Sequence, residues 1–115
     1  TGNLAPDKWR ISNNSDWEKL KEYTTNNTAV LKGGQSWAEF KGIVHNNLSG
    51  FNAVATGFFK NSLEDKEKHL FYWVIQDNNP KVIEKTAVIS YNSNLLNHGT
   101  NTENVGYCIR CVRND

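Results

Sequence analysis

Gly106-Tyr107-Cys108-Ile109-Arg110-Cys111-Val112 is the stretch on which the fold turns. Tyr107, Ile109 and Cys111 alternate with Cys108, Arg110 and Val112, the two-residue period of a half-buried strand. The expectation is a closing strand over 105–112, running through the middle of a sheet, with Tyr107, Ile109 and Cys111 buried against a helix that carries Trp17. That helix has its own signals. Asn13 with Asp16, or Ser15 with Glu18, has capping-box spacing. Trp17, Leu20 and Tyr23 or Thr24 recur at helical spacing, and the Asn26-Asn27 pair should end the run. A strand over 8–11 precedes the helix, and the first and last strands are expected to pair.

Between these ends the chain reads as short elements joined by turns. Residues 29–32 are a brief apolar piece cut by Gly33-Gly34, and 36–43 reads as a second, weaker helix with Trp37, Phe40 and Ile43 on one side. After a turn-rich stretch over 45–50, 51–60 looks extended, with Gly57 marking a bulge or a close backbone approach. Residues 61–68 read as a charged loop or a single helical turn. Residues 69–76 are the strongest strand, rich in aromatic and β-branched side chains and ended by Asp77-Asn78-Asn79-Pro80. A strand over 82–91 and an Asn-rich loop over 92–104 follow. Helices early and strands late make an α+β order, with one or two N-terminal helices on a small, mostly antiparallel twisted sheet with long loops.

Composition bounds the function. The chain has 115 residues, enough for a single domain over 1–115. Lys and Arg total 13 against 12 Asp and Glu, a formal net charge of +1. That balance argues against a nucleic-acid footprint, which needs clustered cations, and against docking on anionic lipid. The longest apolar run, 70–75, is far short of the ~20 residues of a membrane helix, so no direct membrane insertion is expected. The four tryptophans, Trp9, Trp17, Trp37 and Trp73, read as core or half-core, since large rings fill small cores efficiently.

The residues also carry a resemblance. Ala5-Pro6-Asp7-Lys8-Trp9, then Asp16-Trp17 and Leu20, is similar to the opening of the Fibrobacter succinogenes major paralogous domain family. Gly50-Phe51-Asn52-Ala53 with Gly57-Phe58, the Phe71-Tyr72-Trp73 strand, and the closing stretch from Gly106 to Asp115 resemble that family's later segments in the same order. The resemblance implies a C-type-lectin-like fold and an extracytoplasmic place, at the cell surface or secreted, in Bacteroidetes and Fibrobacter relatives, with adhesion or carbohydrate binding as the expected role. A signal or lipoprotein segment is expected outside these residues, since Thr1 to Asp7 is polar and shows no signal pattern. Two departures stand out. Ala5 replaces a family cysteine that the resemblance would pair with Cys111, and Val74-Ile75-Gln76 replaces small hydroxyl residues.

Each chemical candidate has a plainer reading beside it. Cys108 and Cys111 form C-x-x-C, but in a strand, where residues three apart are ~10 Å apart, too far for a disulfide. Two free thiols are therefore expected, with Cys111 buried. A redox motif needs a helix N-terminus, and a zinc site needs further ligands at spacings that His45, His69 and His98 do not supply. Glu64, Asp65 and Glu67 interleave with Lys66 and Lys68 as a solvated face. No nucleophile elbow, phosphate loop or metalloprotease motif is present, so no catalysis is expected.

Gln76, Asp77, Asn78 and Asn79 are oxygen-rich and could hold Ca²⁺ or hydrogen-bond sugar hydroxyls, or simply turn the chain into Pro80. Asn92, Asn94 and His98 lie on the expected loop, where binding side chains commonly sit. Trp73 and Tyr91 could supply an aromatic platform for a glycan or a surface protein. The reading is a non-enzymatic binding or adhesion module needing no cofactor beyond that candidate Ca²⁺. The alternatives are a structural domain of a larger surface lipoprotein and, more remotely, an enzyme of the formylglycine-generating fold.

Overall fold

A computed structural model describes residues 4–77, 85–100 and 104–114. Strand β1 (Trp9–Ile11) leads into helix α1 (Asn14–Tyr23), followed by a 3-10 turn at Thr28–Val30. A long irregular stretch precedes the hairpin β2 (Phe58–Lys60) and β3 (Ser62–Glu64). Strands β4 (His69–Val74), β5 (Lys85–Ser90) and β6 (Asn97–Thr100) come next, then the short β7 (Cys108–Ile109) and β8 (Cys111–Arg113). The class is α+β.

The helix starts where its cap chemistry says. The Asn13 side chain accepts from the Asp16 amide at 3.0 Å, and Asp16 accepts from the Asn13 amide at 2.9 Å. Each side chain satisfies an amide the helix start leaves open. Asp16 also takes a two-pronged bond from Arg10 of β1, which fixes the helix against the strand. The hydrogen bond from Arg10 holds the Asp16 carboxyl below the usual carboxylate range, ahead of the opposing effect of burial.

Strand β4 alternates half-buried with buried residues along its length. Leu70, Tyr72 and Val74 face inward with Ala87 and Ile89 of β5, and Trp17, Leu31, Trp37, Ala53, Ala55 and Leu96 complete the core. The strand order is β6-β5-β4-β7, with β4–β7 parallel and the other two pairs antiparallel. Strands β1 and β8 form their own antiparallel pair, as expected for the two ends of the chain, with Ile11 opposite Cys111. The hairpin is a third, separate sheet.

Five expectations are corrected. Residues 36–43 form no helix: Phe40 bridges Ile43 antiparallel, Gly42 adopts φ +84°, and Trp37 is held by its indole N–H on Ala53 O at 2.9 Å. Three apolar residues at helical spacing are too few to outweigh Gly42. The charged stretch 61–68 contains β3, turned by Asn61 at φ +66°. Within 92–104, residues 97–100 form an edge strand on β5, so His98 is not on a loop.

The fourth correction concerns the closing stretch. It is two short strands in two sheets, with β7 at the edge of the larger one, and its facing is inverted. Cys108 lies opposite Tyr72 on the inner face and packs on the core. Arg110 and Val112 line a groove with Trp17. Tyr107 stacks instead on the outward rings of β4 and Ile109 is exposed, while Cys111 is only half-buried. Both thiols are free, as expected. Trp9, expected in or near the core, is 43% exposed.

Candidate functional site

The outer face of β4 carries a row of rings. His69, Phe71 and Trp73 point away from the core by strand alternation, and each is half-buried. Tyr107, arriving on the lead into β7, stacks on Phe71 at 4.9 Å between centroids and 14° between planes, and lies 4.7 Å from Trp73. His69 sits 5.7 Å from Phe71 and 6.4 Å from Tyr91, and Phe40 meets Tyr91 edge-on at 5.6 Å. Phe58 of the hairpin closes on both Phe71, at 5.5 Å, and Tyr107, at 6.1 Å. Six neighbouring rings thus run from Phe40 to Trp73 without a break. Lys68 flanks the row, its ammonium 6.0 Å from the Tyr91 centroid.

One polar group in the row has its orientation set. Asp65 lies 2.9 Å from His69 Nδ1, which leaves Nε2 as the ring's other polar atom. Rings of this kind offer large contact area at low conformational cost, with polar tips for orientation.

The residues singled out from sequence divide into two groups. Trp73 and Tyr91 are brought onto this row. Gln76 and Asp77 line a small polar cleft of about 180 Å³ with Asn14 and Lys85, and His98 lines a neighbouring one with Glu18. Asp77 caps the helix: Ser15 donates to it from both its amide and its hydroxyl. Both carboxylate oxygens are therefore engaged. His98 Nε2 is 3.5 Å from Glu18. Asn92 is exposed, whereas the Asn94 carbonyl accepts the Thr28 amide at 2.7 Å and its Oδ1 is buried with no partner among the described residues. Asn78 and Asn79 lie outside the described residues. Among the described residues no three His, Cys, Asp or Glu side chains gather as a metal site, and no helix is long and apolar enough to cross a membrane.

The model of the Fibrobacter succinogenes major domain matches residues 1–113. The chain belongs to that family. No curated protein and no solved structure matches it.

Sequence reasoning missed several members of the ring row in this Fibrobacter succinogenes major domain. Phe71 and His69 alternate with Trp73 and could have been found by the same two-residue period; Phe58 and Tyr107 arrive from distant segments and leave no local signal. It also missed Lys32, which is 1% exposed although lysine is almost never fully buried. Its ammonium donates to Ser93 O at 2.9 Å and sits 5.3 Å from the Trp37 ring, so it pins the 91–96 segment beneath the Tyr91 end of the row. Burial pushes its pKa from 10.5 down to about 8.

The sign of that shift gives a testable result. Between about pH 8 and 10.5 the unfolded chain still holds the proton that the folded one has released, so folding stability rises with pH across that window. Below it the folded state carries the full desolvation cost. Lys32→Met removes that cost, and Ser93 O keeps its bond from Thr28 Oγ1. The variant should be more stable at pH 7 by about 1–3 kcal/mol, with the advantage shrinking toward pH 10.5. Paired urea titrations of wild type and variant at several pH values check it; an equal advantage at pH 7 and pH 10.5 would contradict the assignment.

Proposed function

We propose that the domain is a non-enzymatic binding or adhesion module of the cell surface or of secreted proteins, and that the ring row of β4 is its recognition surface for a glycan or a surface protein. The observation that carries this reading is the continuous run of half-exposed rings on the outer face of a rigid sheet, with a polar His69 held by Asp65. Such a surface can stack on a sugar face or take aromatic anchors from a partner. A C-type-lectin-like fold is in keeping with the paired terminal strands and the long irregular connections. Ca²⁺ is a candidate cofactor only at the strand end where Gln76 and Asp77 lie.

The second reading, a structural domain within a larger surface lipoprotein, draws on the same rings, because half-buried rings also serve as a contact with a neighbouring domain. An enzymatic reading related to the formylglycine-generating fold has less support. Its chemistry needs paired reactive cysteines in a cleft, and Cys108 and Cys111 lie in two different sheets.

A glycan array with and without Ca²⁺ tests the glycan form of the first reading. Binding that Trp73→Ala weakens at least tenfold, with unchanged far-ultraviolet circular dichroism, supports recognition through the row, since central aromatic anchors typically carry about 2 kcal/mol or more. No signal in either condition removes the glycan ligand. A signal that Trp73→Ala leaves intact removes the row.

A further inference from the structure

A second site lies on the opposite side of β4, between α1 and the C-terminal strand. We propose that this groove binds a small organic anion, its apolar body lying on Trp17, Leu20, Phe51 and Val112 and its carboxylate on Arg110. The groove measures about 340 Å³, within the range of small-ligand sites, which run from about 300 to 1,000 Å³. Its walls are apolar apart from Ser12, Asp16, Lys19 and Arg110, with Tyr23 at the rim 81% exposed.

The argument rests on where the charges go. Two arginines lie near α1, and they are treated differently. Arg10 has its charge met by a two-pronged bond to Asp16. That pairing, with the Asn13 amide on the same carboxylate, also neutralises the acidic group on the groove wall. Arg110 has no carboxylate partner among the described residues. Its guanidinium rests on the Phe51 ring, 4.0 Å from the centroid, and donates to Phe51 O at 3.2 Å. One acceptor leaves donors over on a planar fork of five N–H groups. A half-buried cation held on an aromatic face, without a counter-charge, attracts an anion more strongly than one in open water. Lys19 adds a second positive group to the rim. A carboxylate matches the guanidinium fork in geometry, which a neutral polar head does not.

The inference is independent of the ring row, because Arg110 and Trp17 lie on the inner side of β4 and Trp73 on the outer. The probes are 3-phenylpropionate and its neutral amide, followed on the intact chain by ¹⁵N-resolved NMR titration. The expected result is a dissociation constant on the order of 1 mM for the acid, about tenfold weaker binding of the amide, and shifts centred on the Trp17 indole N–H and the 110–112 amides. The preference for the acid should shrink as salt is raised. Arg110→Gln should abolish that preference, while Arg110→Lys should keep part of it. Should Arg110→Gln lose its folded spectrum, the acid–amide contrast and its salt dependence in the wild-type chain decide alone. Equal affinity for acid and amide overturns the proposal, as do shifts centred on Trp73 or no shifts at about 10 mM ligand.

Discussion

Trp17→Ala should cost the fold about 3–5 kcal/mol, enough to consume much of the stability of a domain this size. Trp17 is 2% exposed and is where α1 meets the rest of the molecule. Its ring lies 5.0 Å from Tyr72 and 6.1 Å from Phe51, so the three form one cluster linking helix, sheet and the 50–55 segment. The indole N–H also donates to Ser12 Oγ at 2.9 Å, and Ser12 is itself buried. Truncation therefore opens a cavity and leaves a buried hydroxyl without its donor. Trp17→Phe keeps a ring and loses the donor, so its cost should fall nearer about 1–2 kcal/mol. Urea denaturation of both variants measures the two values. A loss under about 1 kcal/mol for Trp17→Ala would mean the helix is not docked as described.

What was legible in the chain was local chemistry. Asn13 and Asp16 announce the helix start, and they act there as a reciprocal cap. That 69–74 is a strand is legible because aromatic and β-branched side chains fill both registers, whereas the inward facing of Leu70, Tyr72 and Val74 is set by packing. The closing stretch reads as a strand in sequence, and the fold exchanges its faces. Both of its registers are half apolar, so alternation alone could not choose between Tyr107-Ile109-Cys111 and Cys108-Arg110-Val112. Arg110 looks like a solvent residue in sequence, yet its aliphatic stem and flat head let it lie along Phe51. Strand β6 escapes the sequence for a different reason: Asn97, His98 and Gly99 have little strand preference, Thr100 alone favours one, and the pairing is imposed by β5. Gly99 fits there because a side chain would meet Thr86 Oγ1 at 2.9 Å.

The same reasoning explains why the candidate site was half legible. Trp73 and Tyr91 were identified as rings able to bind, but the surface they join is assembled by topology. Tyr107 reaches Phe71 only because β7 runs parallel to β4, and Phe58 only because the hairpin folds over them. Asp77 adds a structural use to a candidate site. Its position at a strand end suggests cation or sugar binding, and the fold also uses both its oxygens on Ser15. A polar residue at a strand end has more ways to satisfy the chain than to meet a ligand.

Gly57→Ala should damage both fold and ring row. The sequence marks Gly57 as a bulge or a close backbone approach; the structure shows the second, since a Cβ there would lie 2.0 Å from Glu64 O, 2.8 Å from Lys66 N and 2.9 Å from Asp65 C. All three are backbone atoms, so no side chain can swing away. Gly57 also has φ +72° and donates its amide to His69 O at 2.8 Å. The left-handed backbone costs an alanine about 1–2 kcal/mol, and the collision adds about 1–3 more by pushing the hairpin off β4. Gly50→Ala separates the two costs. Gly50 has nearly the same φ, +76°, with nothing within 4 Å of its added carbon, so it should lose only the first. The hairpin carries Phe58 against Phe71 and Tyr107, so Gly57→Ala should also shift the resonances of those rings while Gly50→Ala leaves them in place. Urea midpoints and aromatic NMR spectra of the two variants provide the check. Equal losses in both would show that the hairpin is not pressed on Gly57, and the ring row would then lose the contact that holds Phe58 in it.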